Sequence, residues 1–257
     1  MLVSIIIITL NEEENLKKTI ESVKKAAKLN NGSLLPIEII VSDGGSEDKT
    51  VEIANVLADK VIIGPRGRYK QLNTGAKVSN GDILLFLHAD TLLPPDAILM
   101  IINQMSDFNV FGGGFKKKWN WNPNVQLTSF LKFMSYMWQG FGIWLVRLLK
   151  TFPGDNAIFV RKSIFQKLNG FSALWICEDF DFIKRLKKLG RKHVIFINSA
   201  VLTSTRRYEK YGFFKINIIW FFIYFTWRFG MPSNRLRNRF KKYSIIPKRV
   251  NRLIIRF

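Results

Sequence analysis

Cysteine is almost missing from this 257-residue sequence, which contains only Cys177. One thiol excludes a disulfide framework and a cysteine-rich metal site, and it favours a reducing compartment. Acidic residues are also scarce, because 19 Asp and Glu oppose 40 Lys and Arg and leave a formal net charge of +21. An excess of this size calls for an anionic partner: a nucleic acid, an acidic membrane or a phosphorylated substrate.

Leader and membrane-spanning segments are not visible either. Met1-Leu2-Val3 leads directly into a strand-like run without a basic segment, so we predict no signal peptide and a cytoplasmic protein. The most aromatic stretch, Phe213–Phe229, is interrupted by Lys215, Asn217 and Arg228. A spanning helix needs ~20 mainly apolar residues, so this stretch favours a helix that lies in a membrane interface.

The last part of the chain lacks acids altogether. Arg235–Arg256 contains many basic residues and no Asp or Glu, which suits anionic lipid headgroups. Together with the preceding aromatic residues it favours a membrane surface over a nucleic acid as the partner. We therefore divide the chain into a catalytic domain over 1–212 and a membrane-associating tail over 213–257. The alternative is an aromatic helix packed on the catalytic domain, followed by a solvated basic end.

Long apolar runs do occur, and Ile83–Leu87 organises the rest of the chain. It predicts a strand buried on both faces, typical of a parallel sheet, and it stops at His88-Ala89-Asp90. Ligands of such sheets bind beyond the carboxyl ends of the strands. Asp90 and His88 would there suit a hard divalent cation completed by substrate phosphates. The alternative is an Asp that caps a turn and a His buried in the core.

The first quarter of the sequence predicts a βαβαβ unit. Strands over Val3–Leu10, Ile37–Ser42 and Val61–Gly64 alternate with helices, which implies right-handed crossovers and parallel strands. Two strand ends, Thr9–Asn11 and Asp43-Gly44-Gly45, would border the same crevice. A carboxylate at a strand end can bind a ribose or a base, although Asp-Gly-Gly is equally a tight turn.

Later segments add further candidates. Arg66 and Arg68 lie in a Gly-rich loop before a helix, and they indicate diphosphate contacts unless they are merely solvated. Glycines 112–114 interrupt a strand over Val110–Phe115 and mark close approach by a ligand or by backbone. The pattern over Pro123–Lys150 predicts a helix whose apolar arc is wider than a core face requires. Acids at 178, 179 and 181 begin a helix, either as dipole compensation or with one of them as a general base.

Five segments occur in the order seen in family-2 glycosyltransferases, which have the GT-A fold: VSIIIITLNEEENL, VSDGGSEDKT, RGRYKQLNTGA, FLHAD and ICEDFDFIKRLKKLG. HAD in place of Asp-x-Asp, with GDNAIFVRKSIFQKLNGF and TSTRRYEKYG, resembles the radical-SAM/selenodomain-associated subgroup. The resemblance covers about Met1 to Gly212. It implies an α/β nucleotide-diphospho-sugar transferase fold, with a mostly parallel central sheet flanked by helices. The C-terminal aromatic and amphipathic helical tail is predicted from its composition and lies beyond the resemblance.

The resemblance also implies roles for individual residues. The nucleotide-sugar donor would bind at Thr9, Asn11, Glu12, Asp43, Gly44 and Ala89, with Arg66, Arg68 and Gln71 along its diphosphate. Asp90 would bind Mg²⁺ or Mn²⁺. His88 would replace the first acid of the commoner motif, as a direct ligand or through water. Asp179, next to Glu178, would be the general base.

We therefore predict an inverting, metal-dependent glycosyltransferase. It would be peripheral on the inner face of the cell membrane, use a lipid or amphipathic acceptor and bind no nucleic acid. The alternatives are a nucleotidyltransferase on a related fold, which would release pyrophosphate, and an inactive basic module that binds membrane surfaces.

Overall fold

The computed structural model describes residues 1–121 and 129–240. The strands are β1 Val3–Thr9, β2 Ile37–Asp43, β3 Lys60–Ile63, β4 Ile83–His88, β5 Thr91–Leu92, β6 Gly112–Asn120, β7 Ile158–Arg161 and β8 Val194–Ser204. The helices are α1 Leu16–Ala26, α2 Thr50–Leu57, α3 Arg68–Val78, α4 Ala97–Met105, α5 Ser129–Leu149, α6 Lys162–Lys167, α7 Glu178–Leu189, α8 Arg206–Tyr211, α9 Phe213–Arg228 and α10 Ser233–Phe240.

All these strands belong to one sheet with the order β3-β2-β1-β4-β7-β6-β8-β5. Strands β3, β2, β1 and β4 are mutually parallel, as the alternation of strands and helices predicts. Strand β7 runs antiparallel to both β4 and β6, whereas β6 and β8 are parallel. Because these strands are parallel, the carboxyl ends of β1, β2 and β4 share one edge of the sheet.

The core lies on both faces of this sheet, as the burial of β1 along its whole length shows. Successive side chains of a strand point to opposite faces. Ile5 and Ile7 therefore pack with α1 and α4 on one face, while Ile6 and Ile8 pack with α3, α6 and α7 on the other. A β-branched run without polar alternation is the sequence pattern that such two-sided burial requires.

Helix α3 approaches β1 unusually closely. A Cβ on Gly75 would lie 2.4 Å from Cγ2 of Ile6, so only glycine fits between the helix and the strand. The first turn of α3 is thereby held next to the ends of β1 and β2, and it carries Arg68 and Gln71 to that edge.

The second half of the sheet corrects two predicted boundaries. The apolar pattern predicts strands over Val110–Phe115 and Val194–Ile197, but β6 continues to Asn120 and β8 to Ser204. The extensions pair with each other after a register shift between Phe115 and Lys116. They mix polar with apolar residues and exposed with buried ones, so apolar patterning does not reveal them.

Glycines 112–114 make room for backbone and for an aromatic ring. A Cβ on Gly112 would lie 2.4 Å from the carbonyl oxygen of Phe159, and one on Gly113 would lie 2.3 Å from that of Ile195. A Cβ on Gly114 would meet the Phe152 ring at 2.7 Å. The sequence offered two explanations, close approach by a ligand or by backbone. The structure supports the second, because the contacts come from other segments of the same chain.

Helices α5 and α9 each leave an aromatic face exposed. On α5 the exposed rings include Phe133, Trp138, Phe141 and Trp144, so the wide apolar arc is not a core face. No helix within the described ranges is both long and apolar enough to cross a membrane. The start of the predicted helix over Pro123–Lys150 and the basic residues after position 240 lie outside the described residues.

Helix α9 also packs on the rest of the molecule. Its Ile223 is buried in a small cluster with Ile176, Cys177 and Leu236 of α10. On the same side, Phe180 of α7 contacts the rings of Tyr224 and Trp227 at centroid distances of 4.9 and 6.2 Å. The described part of the predicted tail is thus attached to the catalytic part through one face and exposed through the other.

Candidate active site

A cavity of about 150 Å³ lies beyond the carboxyl ends of β1 and β4. Eight residues singled out in the sequence line it: Thr9, Glu12, Arg66, Arg68, Gln71, His88, Ala89 and Asp90. Its other lining residues include Trp175, Arg206, Arg207 and Trp220, which were given no role from the sequence. The cavity is therefore built from strand ends, from the Arg66–Arg68 loop and from the later helices α8 and α9.

Asp43 supports the cavity from beneath. Its carboxylate accepts hydrogen bonds from the backbone N–H groups of Gly45 and Ser46 at 2.8 and 2.7 Å, and from the hydroxyls of Ser46 and Thr9 at 2.5 and 2.8 Å. The side chain is fully buried, so it closes the turn after β2 and does not open into the cavity. The expected contact of Asp43 with a base or ribose therefore stays a prediction.

Asn11 and Gly44 lie just after the ends of β1 and β2. Asn11 has a left-handed backbone (φ 54°), and its side-chain oxygen accepts the N–H of Glu47 at 2.8 Å. Gly44 lies under Gln71, because a Cβ there would be 3.1 Å from Nε2 of that residue. Neither residue is among those that line the cavity.

Gln71 lines the cavity but uses both amide protons internally. Its Nε2 donates to the carbonyl oxygens of Thr9 at 2.7 Å and Ser42 at 2.9 Å. These two bonds hold the ends of β1 and β2 in a fixed relation, which keeps the cavity floor in place. The structure thus gives Gln71 a positioning role for the strands that carry Thr9 and Asp43.

Arg68 faces the two acids at the start of α7. Its Nη1 lies 3.6 Å from Oε1 of Glu178, whose side chain is 2% exposed. The other carboxylate oxygen of Glu178 is buried without a hydrogen-bond partner. A buried polar atom left unpaired is costly, and it is a common mark of a functional site. The Arg66–Arg68 loop and the α7 acids therefore form one charged wall, with the half-buried guanidinium of Arg68 between the acids and the cavity.

Asp179 is fixed by two backbone groups. Its Oδ2 accepts the N–H of Gly154 at 2.5 Å, and its Oδ1 accepts the N–H of Phe180 at 2.7 Å. Cys177, in the left-handed conformation at φ 65°, turns the chain immediately before these acids. Burial and the neighbouring charge of Glu178 raise the pKa of Asp179 to about 7. A carboxylate with this pKa is suited to accept a proton near neutral pH.

His88 lies beside the same backbone segment. A Cβ on Gly154 would be 2.9 Å from Nε2 of His88 and 3.4 Å from Oδ2 of Asp179, so this glycine allows the close approach of both side chains. Burial, assisted by the positive charge of Arg68, lowers the pKa of His88 to about 4. The imidazole is therefore neutral at pH 7, and its ring is turned towards the segment that holds Asp179.

Asp90 and Glu12 converge on one atom. Nη2 of Arg206 lies 3.1 Å from Oδ2 of Asp90 and forms a shorter contact with Oε1 of Glu12. Burial raises the pKa of Glu12, while its contacts with Arg206 act in the opposite direction. Within the described residues no group of three or more His, Cys, Asp and Glu side chains is placed to hold a metal ion. The two converging carboxylates nevertheless fit Mg²⁺ or Mn²⁺, which commonly takes one or two carboxylates and completes its shell with substrate phosphates and water.

The pairing of β5 with β8 explains how Arg206 reaches these acids. Thr91 pairs with Thr203, and the N–H of Ser204 donates to the carbonyl oxygen of Asp90 at 3.2 Å. Arg207 continues along the cavity and lies 5.5 Å from the Trp220 ring of α9. The paired arginines after the last strand are visible in the sequence, but their position at the site depends on this long-range pairing.

A partly buried ion pair lies next to the segment that holds Asp179. Nζ of Lys117 lies 2.9 Å from Oδ2 of Asp155, the residue after Gly154. Burial alone would raise the pKa of Asp155, but the charge and hydrogen bond of Lys117 lower it. The 154–156 turn is thereby tied to β6 as well as to α7.

The sheet, the cavity at its carboxyl edge and the acids at the start of α7 define a GT-A α/β fold, as its structural neighbours confirm. The sequence model described as Glycosyl transferase family 2 matches residues 4–169, and the chain belongs to that family. This confirms the family expected from the sequence motifs. The subgroup stays a prediction.

Relatives and solved structures are more distant. The chain is 28% identical over 214 residues to the probable glycosyltransferase YdaM of Bacillus subtilis, covering 77% of this chain and 49% of that protein. It is 34% identical over 113 residues to dolichol-phosphate mannosyltransferase of Pyrococcus furiosus, covering 42% of this chain and 31% of that protein. The chain thus spans about half or less of the length of these curated relatives.

Two solved structures illustrate the likeness of the fold. Residues 1–349 of S. aureus TarS in complex with UDP match with a TM-score of 0.60 and 16% identity, over 80% of this chain and 61% of that one. The mannosyltransferase PcManGT of Pyrobaculum calidifontis, in complex with GDP-Man and Mn²⁺, matches with a TM-score of 0.55 and 18% identity, over 78% of this chain and 56% of that one.

Proposed function

We propose that this chain transfers a sugar from a nucleotide-diphosphate sugar to an acceptor hydroxyl, with inversion at the anomeric carbon. The observation that carries the proposal is Asp179, held by two backbone N–H groups close to the cavity with a pKa of about 7. A single carboxylate in this position can deprotonate an acceptor. The acceptor oxygen then attacks from the face opposite the leaving diphosphate, which inverts the configuration.

The surrounding charges support this assignment of roles. Glu178 faces Arg68, so its charge is partly neutralised, while it still helps to raise the pKa of Asp179. Arg68 and Arg66 line the cavity and supply positive charge where a diphosphate would leave. Positive groups already in place at a developing negative charge stabilise the transition state without reorganising during the reaction.

The second part of the proposal is dependence on a divalent metal. Glu12 and Asp90 would hold Mg²⁺ or Mn²⁺, since their carboxylates already meet at one position. The ion would supply Lewis-acid stabilisation of the diphosphate leaving group, which then departs without needing a proton. The solved PcManGT structure contains GDP-Man together with Mn²⁺, in agreement with this part of the proposal.

The third part is an acceptor presented by a membrane surface on the cytoplasmic side. Exposed aromatic rings on α5 and α9 are suited to an interface, and the chain carries a large positive charge. Two relatives are named for polyprenyl-type acceptors: the Pyrococcus furiosus dolichol-phosphate mannosyltransferase and an undecaprenyl-phosphate 4-deoxy-4-formamido-L-arabinose transferase of Yersinia enterocolitica. By this proposal the acceptor is a lipid or an amphipathic molecule.

The positions of the two helices support a membrane-facing site. Lys184 of α7 lies 5.7 Å from the Trp227 ring of α9, and Lys187, one turn later, donates to the carbonyl oxygen of Leu149 at the end of α5 at 3.0 Å. Residues 180, 184 and 187 share one face of α7. Both exposed aromatic helices are therefore attached along the helix whose first turn carries Asp179.

A screen of nucleotide sugars with Mn²⁺ and a lipid extract tests the activity itself. We expect nucleoside diphosphate as a product for one donor, and a glycosylated lipid whose anomeric configuration is opposite to that of the donor. Release of pyrophosphate would instead indicate a nucleotidyltransferase. Retention of configuration would contradict the single-base mechanism.

A further inference from the structure

Arg206 is the cation at which two acids from distant parts of the sequence meet. Its Nη2 contacts Glu12, just after β1, and Asp90, just after β4. The side chains of Glu12 and Asp90 are only 11% and 16% exposed, so water alone does not fully solvate either carboxylate. Without a cation between them, two half-desolvated carboxylates would repel each other.

The shape of this contact is unusual for a guanidinium. An arginine that permanently pairs with carboxylates normally offers two parallel N–H groups to each acid. Here one nitrogen serves both acids, and Nε of Arg206 is buried without a hydrogen-bond partner. Carboxylate oxygens that converge on one point suit a small spherical ion better than a planar fork.

We propose that Arg206 is an exchangeable counter-ion that occupies the divalent-metal position between Glu12 and Asp90 and leaves it when a metal–diphosphate complex binds. The proposal rests on the metal site described under the proposed function. The incoming metal takes over the two carboxylates, and the diphosphate supplies a new anionic partner for the displaced guanidinium.

The attachment of α8 suits such an exchange. Arg206 is the first residue of this helix, directly after Thr205. The Thr205 hydroxyl is within hydrogen-bond distance of the carbonyl oxygen of Asn120 at 3.0 Å and of the Glu209 carboxylate at 2.6 Å, and these contacts fix the backbone of the turn. The side chain of Arg206 is 36% exposed, so rotation about its own bonds can release the guanidinium while α8 stays in place.

The consequence is an order of binding. In the wild-type chain Mn²⁺ alone must compete with Arg206 and binds weakly, whereas Mn²⁺ together with a nucleoside diphosphate binds well. Removing the guanidinium removes the competitor. Metal binding then becomes largely independent of the nucleotide.

Titrations with Mn²⁺, followed by electron paramagnetic resonance, test this order without any sugar transfer. The full-length wild type, Arg206→Gln and Lys210→Gln are titrated with Mn²⁺ alone and with Mn²⁺ plus UDP or GDP. Lys210→Gln removes the same charge from the same helix, but Lys210 lies over the Tyr211 ring at 5.4 Å and not between the acids. We expect Arg206→Gln to bind Mn²⁺ alone more tightly than the wild type by on the order of tenfold, and Lys210→Gln to match the wild type.

Adding Asp90→Asn to Arg206→Gln should remove the gained affinity, because the ion then loses one of its carboxylates. Equal affinity of wild type and Arg206→Gln for Mn²⁺ alone would overturn the proposal. So would tight binding of Mn²⁺ by the wild type without nucleotide, a measurement that does not depend on the folding of any variant. A loss of nucleotide binding in Arg206→Gln without a gain in Mn²⁺ affinity would instead make Arg206 a permanent ligand of the diphosphate. None of these outcomes depends on whether the chain transfers a sugar.

Discussion

At the scale of single residues, Asp179 carries the chemistry proposed for this chain. Asp179→Asn keeps the size of the side chain and removes the base, so we expect turnover to fall by about 10²–10⁴-fold while the affinity for the nucleotide donor is unchanged. Steady-state kinetics together with donor-binding calorimetry measure the two effects separately. Near-normal transfer by a folded Asp179→Asn variant would exclude Asp179 as the base.

The raised pKa of Asp179 predicts a pH profile. The carboxyl group must be ionised to accept a proton, and burial near Glu178 raises its pKa to about 7. The rate of transfer should therefore rise about tenfold per pH unit below 7 and level off above it. His88 does not contribute to this limb, because its pKa lies near 4. A rate that is already constant at pH 5 would contradict the environment described for Asp179.

Asp90 gives a prediction about metal that is independent of the base. Asp90→Ala removes one of two carboxylates and leaves the contact between Glu12 and Arg206, so the fold should persist. We expect nucleotide binding that depends on Mn²⁺ to be lost. His88→Ala should weaken this binding by about 10–100-fold, because His88 helps to position the residues around it. Calorimetry with and without EDTA distinguishes these cases. Equal affinity of the wild type in both conditions would show that no metal takes part.

The sequence predicted a large part of the cavity lining at this scale, for a clear reason. Thr9, His88 and Asp90 end or follow strands that are apolar on both faces, and parallel strands bring their carboxyl ends together. Glu12 was placed there by the resemblance to family-2 glycosyltransferases. Arg206 was not predicted there. It reaches Asp90 because β5, a strand of only two residues, pairs with the end of β8, and two residues carry no periodic pattern.

At the scale of elements, strands buried on both faces were predicted well and half-exposed ones were not. The predicted starts of β1 and β2 are identical to the observed ones, and the predicted ends agree to within one residue. The ends of β6 and β8 were missed because lysines 116–118 and the polar residues Asn198 and Ser199 interrupt the apolar pattern, although the two strands continue to pair through their backbones. Backbone pairing between strands distant in sequence leaves no trace in the pattern of apolar residues.

The packing of α3 on β1 gives a prediction with a matched control. Gly75→Ala adds a methyl group 2.4 Å from Cγ2 of Ile6, and the crowding should lower the free energy of unfolding by about 1–3 kcal/mol despite better helix propensity. Gly140→Ala on α5 adds the same group where nothing lies within 4 Å. That change should instead stabilise by about 0.5–1 kcal/mol. Urea unfolding of both variants measures the difference, and the same sign for both would contradict the close packing of α3.

At the scale of the whole molecule, the exposed aromatic residues predict where the proposed contact with a membrane surface lies. Phe221 and Phe225 of α9 and Phe229, directly after it, form a row of contacting rings with centroid distances of 5.7 and 4.6 Å, and they are 61%, 49% and 74% exposed. Changing all three to Ser should abolish flotation with anionic liposomes at low salt and leave the fold intact. Phe108→Ser, at a residue that is 86% exposed in the loop between α4 and β6, should have no effect on flotation.

Flotation of the full-length protein with anionic and with neutral liposomes completes this test. Attraction to anionic headgroups is screened by salt, so the bound fraction should fall as salt is raised. Unchanged flotation of the triple variant would exclude α9 as the contact. The wild type failing to float with anionic liposomes would exclude the membrane surface itself.

The predicted domain boundary at position 212 is not a suitable place to truncate the chain in such experiments. Helix α9 buries Ile223 against Ile176 and Cys177, directly before the acids of α7, and its Trp220 lines the cavity. A chain ended at Gly212 would therefore lose part of the cavity wall together with the exposed rings. Substitutions on the outer face of α9 separate the two effects, whereas truncation does not.

The double role of α9 has a thermodynamic consequence. Trp220 lines the cavity, and Phe221 and Phe225 are exposed on the outer side of the same helix. Whatever orders this helix from one side lowers the conformational entropy that remains to be lost on the other. Linkage then requires reciprocity: if an occupied cavity lengthens the residence of the protein on a surface, the surface tightens the hold on the nucleotide by the same factor. The concentration of donor would in this way help to set how much of the protein is at the surface.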